Sequence, residues 1–371
     1  MKYKSFKGEI QLSRLGMGNM RLPVLEGKQA DIDYPKAKTI IDACISGGVN
    51  YYDTAYIYHE GNSEVFLGEA LKDYPRDSYY VADKFNIVAD PDYRRQFAHQ
   101  LQRLQMDRID FYLIHDVHVE PILQSGCIEY FDAMKKEGKI RYFGFSFHGT
   151  AEGLRKMLKA YPFDFVQIQL NYYDWYFGNA KELYHILAEA GVPVMVMEPV
   201  HGGLLAKLPE KAQAALDKMQ GGRSTASNAL RFVMSLPNVQ VILSGMSEIS
   251  QAEDNIKTFD EALPLTDEHR EDIKKAAEIL HSELAVACTA CRYCCPDCPM
   301  GLDIPALIKA YNGAKLGGIW RMPDLLPEDK EKWPSACIGC ASCQRHCPQE
   351  FPIPQIMDEM KEMLCKLEKE E

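Results

Sequence analysis

Residues 90–115 read DPDYRRQFAHQLQRLQMDRIDFYLIH, and the fold is decided there. Asp90-Pro91 opens a helix, because proline's fixed φ suits the first helical turn and its missing N–H costs nothing there. Tyr93, Phe97, Leu101 and Leu104 follow at spacings of three and four, so they form one apolar stripe on a helix. After a polar turn, the segment Asp110–His115 is apolar or aromatic at successive positions instead of alternating. A strand with two apolar faces is buried on both, as parallel strands covered by crossover helices are.

The same unit repeats in both directions. Runs at Leu15–Met20, Asn50–Ala55, Tyr79–Phe85, Asp110–His115, Tyr142–Phe147, Phe165–Leu170, Pro193–Val200 and Val239–Ser244 are eight predicted strands. Between them lie further helical stripes. Ala37, Ile40, Ile41, Cys44 and Ile45 mark Tyr34–Ser46, which Gly47-Gly48 ends. Leu183, Ile186, Leu187 and Ala190 mark another, closed by Gly191. Eight strand–helix alternations within ~250 residues predict an α/β fold, a (β/α)₈ TIM barrel. The rival is an open doubly wound sheet. Its dinucleotide fingerprint is present only in part, as Gly16-Met17-Gly18 with Arg21 at the third glycine position. Ahead of the barrel, Tyr3–Leu15 alternates weakly and reads as a hairpin.

Composition excludes some classes. The chain has 371 residues, 46% of them hydrophobic, and a net charge of −11. An acidic chain without a basic cluster is a poor ligand for nucleic acid or an anionic membrane surface. No stretch approaches the ~18 apolar residues of a membrane span. The N-terminus lacks an apolar run ending in a small-residue cleavage site, so a cytoplasmic location is expected. There thiols stay reduced, and cysteines read as metal or redox ligands. Of the 12 cysteines, only Cys44 and Cys127 precede residue 286; the other ten lie between Cys288 and Cys365. This asymmetry predicts a barrel over 1–285, left through a helix Thr266–Leu284, and a small, mainly α-helical ferredoxin-like domain over 286–371.

Cys288, Cys291, Cys294 and Cys298, followed by Pro299, read C-x₂-C-x₂-C-x₃-C-P. Cys337, Cys340, Cys343 and Cys347, followed by Pro348, repeat the spacing. This is the bacterial ferredoxin run, in which the fourth cysteine serves the other cluster. Cys288, Cys291, Cys294 and Cys347 are therefore assigned to one [4Fe–4S] cluster, and Cys337, Cys340, Cys343 and Cys298 to the other. Structural zinc also uses C-x₂-C pairs, but as two separated pairs. Cys295 and Cys365 fit neither register. The 38 residues between the motifs exceed a compact β-type ferredoxin and contain predicted helices at Pro305–Leu316 and Pro323–Glu331.

Four polar residues stand near the C-terminal ends of strands 2 to 4: Asp53, Tyr58, Lys84 and His115. That end of a barrel carries the chemistry. The set suits carbonyl reduction. A phenol near pKa 10 must give up a proton, and a neighbouring ammonium favours its anion. A carboxylate holds the ammonium, and an imidazole orients the carbonyl oxygen. His59, His118, Glu198, His201 and His148 add polarity to the same rim; they predict a polar pocket or, as three histidines and a glutamate, a metal site.

These residues resemble the aldo-keto reductase superfamily over about residues 3–280. The resemblance rests on GVNYYDTAYIYHEGNSEVFLGEAL (48–71), LQRLQMDRIDFYLIH (101–115), Gly144-Phe-Ser146, Val166-Gln167, Pro199-Val-His-Gly-Gly203 and Gly245–Asn255. With the cysteine-rich segment the whole chain is similar to the ferredoxin-containing branch. The resemblance implies Tyr58 as general acid, Lys84 and Asp53 as its tuners, and His115 as the substrate-orienting group. It implies Ser146 and Gln167 on the nicotinamide carboxamide, and Asp254 and Asn255 near the adenine. Four positions depart from the pattern. Phe147 stands where asparagine is frequent. Met197 stands where an aromatic stacks on the nicotinamide. Gly245 and Gln251 stand where basic residues grip the 2′-phosphate. Ser244, Ser247 and nearby backbone N–H groups remain as phosphate donors. NADP(H), NAD(H) or a flavin is thus left open as the partner of the two [4Fe–4S] clusters.

Three functions follow. The first is an NAD(P)-dependent oxidoreductase acting on a carbonyl or related small-molecule substrate, its clusters exchanging electrons with the site or with an external ferredoxin or other carrier. The second is a flavin-using iron–sulfur oxidoreductase. The third is an electron-transfer or redox-sensing protein with a non-catalytic barrel.

Overall fold

Among the described residues, ten strands form two sheets. β1 (Tyr3–Phe6) and β2 (Ile10–Ser13) make an antiparallel hairpin. The other eight are β3 (Leu15–Gly18), β4 (Tyr51–Asp53), β5 (Tyr80–Phe85), β6 (Ile109–Ile114), β7 (Ile140–Phe147), β8 (Phe165–Gln169), β9 (Val194–Met197) and β10 (Val239–Ser244). They are parallel and close in sequence order, with β10 back on β3. The eight predicted strands are these eight, and the (β/α)₈ barrel replaces the open-sheet alternative. The computed structural model describes residues 1–26, 28–115, 119–220, 223–317, 319 and 322–370. Among them no helix is long and apolar enough to cross a membrane.

The helix predicted behind Asp90-Pro91 runs Tyr93–Leu104, and Asp92 caps it by accepting the N–H groups of Arg94 and Arg95. Tyr34–Ser46 is helical with Asp33 as its cap and proline in its first turn.

Side chains alternate along a strand, so every second residue points into the barrel. Tyr51, Ala82, Phe111, Leu113, Tyr142, Phe165, Met195, Val241 and Leu243 form one buried interior layer. The hairpin seals it from the N-terminal end. Phe6 meets the rings of Phe111, Tyr142 and Phe165 edge-on, with centroids 5.4, 4.8 and 6.5 Å away. Tyr142 donates its hydroxyl to Glu9 Oε2 at 2.6 Å.

The chain divides into two compact units, Met1–Val200 with Met219–Glu271, and His201–Lys218 with Asp272–Glu371. The second has its own core, in which Leu307, Ile308 and Tyr311 of the helix Ile304–Gly317 pack with Ile356, Met357 and Met360 of the helix Ile353–Glu370. The helix expected over Pro323–Glu331 is reduced to Met322–Leu325 and a separate short turn at Lys330–Lys332. Pro327 accounts for the break, because proline disfavours a helical residue before it and offers no N–H.

Candidate active site

The period of two that builds the barrel interior also delivers the site. Asp53 lies two residues beyond Tyr51, Lys84 two beyond Ala82, and Gln167 two beyond Phe165. His115 and Ser146 lie four beyond Phe111 and Tyr142, and Met197 and Gly245 two beyond Met195 and Leu243. All therefore continue the interior face past the apolar layer toward the C-terminal mouth. Ser244 and Asp83 fall on the opposite parity and face the surrounding helices.

Lys84 is fully buried. Its ammonium donates to Asp53 Oδ1 at 2.6 Å, to the Thr54 carbonyl at 2.6 Å and to the Tyr58 hydroxyl at 3.4 Å. An ammonium has three protons, and these partners use them all. Asp53 Oδ2 has no hydrogen-bond donor among the described residues. Burial raises the Asp53 carboxyl, and the Lys84 charge pulls it back. His115 meets the Tyr58 ring edge-on at 5.8 Å. Burial, followed by the charges of Lys84 and His148, holds its imidazole well below its ordinary range.

Tyr58 sits on a strained turn. His59 (φ 52°), Glu60 (φ 56°) and Gly61 (φ 91°) are all left-handed, and the first two lack glycine's freedom. His59 Nδ1 lies 2.7 Å from the Gln29 carbonyl, which ties this turn to the segment before the first barrel helix. Behind Lys84, the buried Asp83 accepts the Lys84 N–H at 2.8 Å. Burial and the neighbouring Glu64 carboxylate push Asp83 well above the ordinary carboxylate range. Arg103 closes this group on Glu64 at 2.8 Å.

Ser146 and Gln167 are buried partners in the β7–β8 register. Gln167 Nε2 points to the Met197 sulfur at 3.7 Å, while Gln167 Oε1 is buried without a hydrogen-bond partner. A buried acceptor left over at the mouth suits a carboxamide N–H, so these residues fit a nicotinamide. Asn255 donates to Ser244 Oγ at 2.9 Å, and Asp254 accepts the Ser224 hydroxyl at 2.5 Å. Those two contacts tie the helix Ile249–Glu261 to β10 and to the start of the preceding helix Thr225–Met234.

One mouth residue escaped the sequence reading. The Arg21 stem lies along Gly245, where any side chain would press on it, and its guanidinium stands 3.7 Å from Glu198. No local signal marks this, because Arg21 and Gly245 come from opposite ends of the barrel sequence. Among the described residues the rim histidines do not assemble as a metal site. His201 Nε2 lies 2.9 Å from the Ala287 carbonyl, and His118 falls outside the described residues. Among the described residues no group of three or more His, Cys, Asp or Glu is arranged to hold a single metal ion.

One set of cysteines groups across the two motifs. Cys298 lines one cavity with Cys337, Cys340 and Cys343, walled by Pro299, Leu302, Ile304 and Pro354. Cys288 and Cys291 are charge neighbours of Cys294. Four soft thiol donors around an apolar hollow fit an iron–sulfur cluster.

Comparison with known proteins places both parts. The sequence profile described as Aldo/keto reductase family matches residues 14–278, and that described as 4Fe-4S dicluster domain matches 287–353. The uncharacterized oxidoreductase YqkF of Bacillus subtilis is 25% identical over 314 residues, covering 74% of this chain and 98% of its own. The NADH-specific methylglyoxal reductase of Escherichia coli is 31% identical over 222 residues, 53% of this chain and 66% of its own length. Among solved structures, the holo form of aldo-keto reductase AKR11C1 from Bacillus halodurans is 30% identical with a TM-score of 0.63, covering 74% of this chain and 96% of its own.

Proposed function

The chain belongs to the aldo/keto reductase family and carries a 4Fe-4S dicluster domain, and from that premise we propose that it is an NAD(P)-dependent reductase of a small carbonyl compound whose clusters exchange single electrons with that chemistry or with an external carrier. The observation that carries this reading is the buried Lys84 ammonium held between the Asp53 carboxylate and the Tyr58 hydroxyl.

When bound, a nicotinamide supplies a hydride and each cluster carries one electron at a time. The protein does the rest. Tyr58 donates its hydroxyl proton to the substrate oxygen, and Lys84 stabilises the oxyanion left behind. Asp53 provides the countercharge that a buried ammonium requires. His115, uncharged in its buried position, offers an N–H to the same substrate oxygen and sets its orientation. Gln167 Oε1 accepts a carboxamide N–H, and Met197 supplies a polarizable surface beside it. The name of the Escherichia coli relative supports a nicotinamide and makes methylglyoxal a suitable probe carbonyl.

Tyr58→Phe tests the reading. Reduction of methylglyoxal by NADH or NADPH should fall by about 10²–10⁴-fold, with cofactor affinity unchanged in a fluorescence titration. Unchanged turnover would leave the barrel without this chemistry. Exchange between the two chemistries is read separately: anaerobic addition of NADH or NADPH to the cluster-loaded protein should bleach its visible absorbance and produce a reduced-cluster EPR signal.

A further inference from the structure

The two cysteine sets differ in their surroundings. Cys294 and Cys343 are buried, and of the eight motif cysteines only Cys340 is exposed. It belongs to the set that lines the cavity with Cys298, Cys337 and Cys343. The same cavity is rimmed by two apolar side chains that reach solvent, Ile338 at 65% exposure and Met300 at 37%. Between Ile338 and Cys340, Gly339 is left-handed (φ +70°) with open space where a side chain would be.

Cations surround this rim. Lys332 Nζ donates to the Met300 carbonyl at 3.0 Å, Arg345 to the Cys340 carbonyl at 3.3 Å, and Lys361 to the Cys337 carbonyl at 3.0 Å. Lys361 is shared with Asp358 at 2.9 Å. Lys332 and Arg345 have no carboxylate within ion-pair distance among the described residues. Three cations thus bond the backbone around a solvent-reaching apolar tip, two of them without a carboxylate partner among the described residues, on a chain of net charge −11. Apolar contact seats a partner, and the charge selects which partner arrives.

We propose that this rim is the docking surface for an acidic one-electron carrier protein, and that the Cys298, Cys337, Cys340 and Cys343 cluster is the port through which its electron enters or leaves. In the entering direction the carrier is oxidised by one electron and the cluster is reduced by one. No bond or proton is exchanged. The inference rests on the reading that this chain uses its clusters in redox chemistry, and it adds which cluster faces outward and the charge of what it meets.

The test uses the cluster-loaded full-length protein and a reduced, acidic [2Fe–2S] ferredoxin as probe, with cluster reduction followed by anaerobic stopped-flow absorbance. NAD(P)H is left out, so failure here is separate from failure of the barrel chemistry, which methylglyoxal reduction and its loss in Tyr58→Phe read alone. Raising ionic strength from about 0.02 M to 0.3 M should slow the reaction at least tenfold, because exposed charges are screened. Ile338→Glu should slow it at least threefold, and Ile338→Lys should hold or raise it. Reduction by dithionite, iron content and the EPR spectrum should match wild type in both variants. Opposite effects of the two substitutions separate charge selection from damage to the loop. If both variants lose iron, Lys330→Glu, on the exposed turn before Lys332, repeats the charge test away from the ligand loops and should also slow the reaction. Indifference to salt, equal slowing by Glu and Lys at position 338, or full speed in Lys330→Glu each overturns the proposal.

Discussion

Replacing Lys84 by Met removes the ammonium at the centre of the tetrad and keeps most of the side chain's length. Lys84 Nζ is held 2.6 Å from Asp53 Oδ1, and Asp53 Oδ2 has no donor among the described residues. With the ammonium gone, burial alone acts on Asp53, and burial is already the largest influence, raising the carboxyl above 3.8. The variant should therefore fold with Asp53 protonated, while the unfolded chain ionises it near 3.8. Each pH unit between these states is worth about 1.4 kcal/mol. The loss at pH 7 should fall in the ~3–5 kcal/mol range seen when one partner of a buried pair is removed. The sign follows from the raised carboxyl in the folded variant: its favourable contribution is complete below pH 3.8 and is lost as pH rises. The stability gap to wild type should thus widen as pH rises from 5 to 7. Trp175 packs on Tyr184 and Phe232 in the barrel unit and reports its unfolding. Urea titrations monitored by Trp175 fluorescence, in a background of Trp320→Phe and Trp333→Phe, give the gap directly. Adding Asp53→Asn to Lys84→Met should recover most of the loss at pH 7 and remove the pH slope. An equal gap at both pH values, or a double variant no more stable than the single one, would refute the electrostatic account.

Three further outcomes follow from the same structure. Phe6→Ala opens the N-terminal end of the barrel under Phe111, Tyr142 and Phe165 and should cost about 3–5 kcal/mol in the same urea assay. Cys298→Ser should remove the cluster shared with Cys337, Cys340 and Cys343 and spare the one at Cys288, Cys291 and Cys294, whereas Cys295→Ser should keep both; iron analysis and EPR spin counting distinguish the cases. Because His115 is held well below its ordinary range, kcat/KM for a carbonyl should show no protonation limb near pH 6.5, and a one-proton limb there that vanishes in His115→Gln would contradict its assignment.

Much of the molecule is readable from local order along the chain. The helix of Tyr93, Phe97, Leu101 and Leu104 forms as read, although its buried face is Phe97 and Leu104 with Gln96 and Gln100, and the two-faced strand after it is buried throughout. The convergence of Asp53, Lys84 and His115 is readable for the same reason, since a strand's alternation carries them to the same face as the apolar residues before them. Other features were not. Gln251 and Gly245 looked like losses from a phosphate grip, yet Gly245 leaves the room that the Arg21 stem occupies. The bonds from Asp254 to Ser224 and from Asn255 to Ser244 carry no signal in the sequence. The stretch His201–Lys218, which follows a barrel strand in sequence, belongs with the C-terminal unit, where a side chain at Gly202 would collide with the Thr289 carbonyl.

By itself the amino-acid sequence determined the periodic strands and helices and the two cysteine repeats that match a 4Fe-4S dicluster profile. Each is a repeat of two, three or four residues, set by backbone geometry that neighbours in the chain already share. Only the tertiary structure decided who meets whom across long separations: Lys84 with Asp53, Phe6 beneath Phe111, Cys298 in the cavity of Cys337, and the cations around Ile338. Those contacts exist because the sheet closes and the cores pack, and closure has no signature in any single stretch of chain.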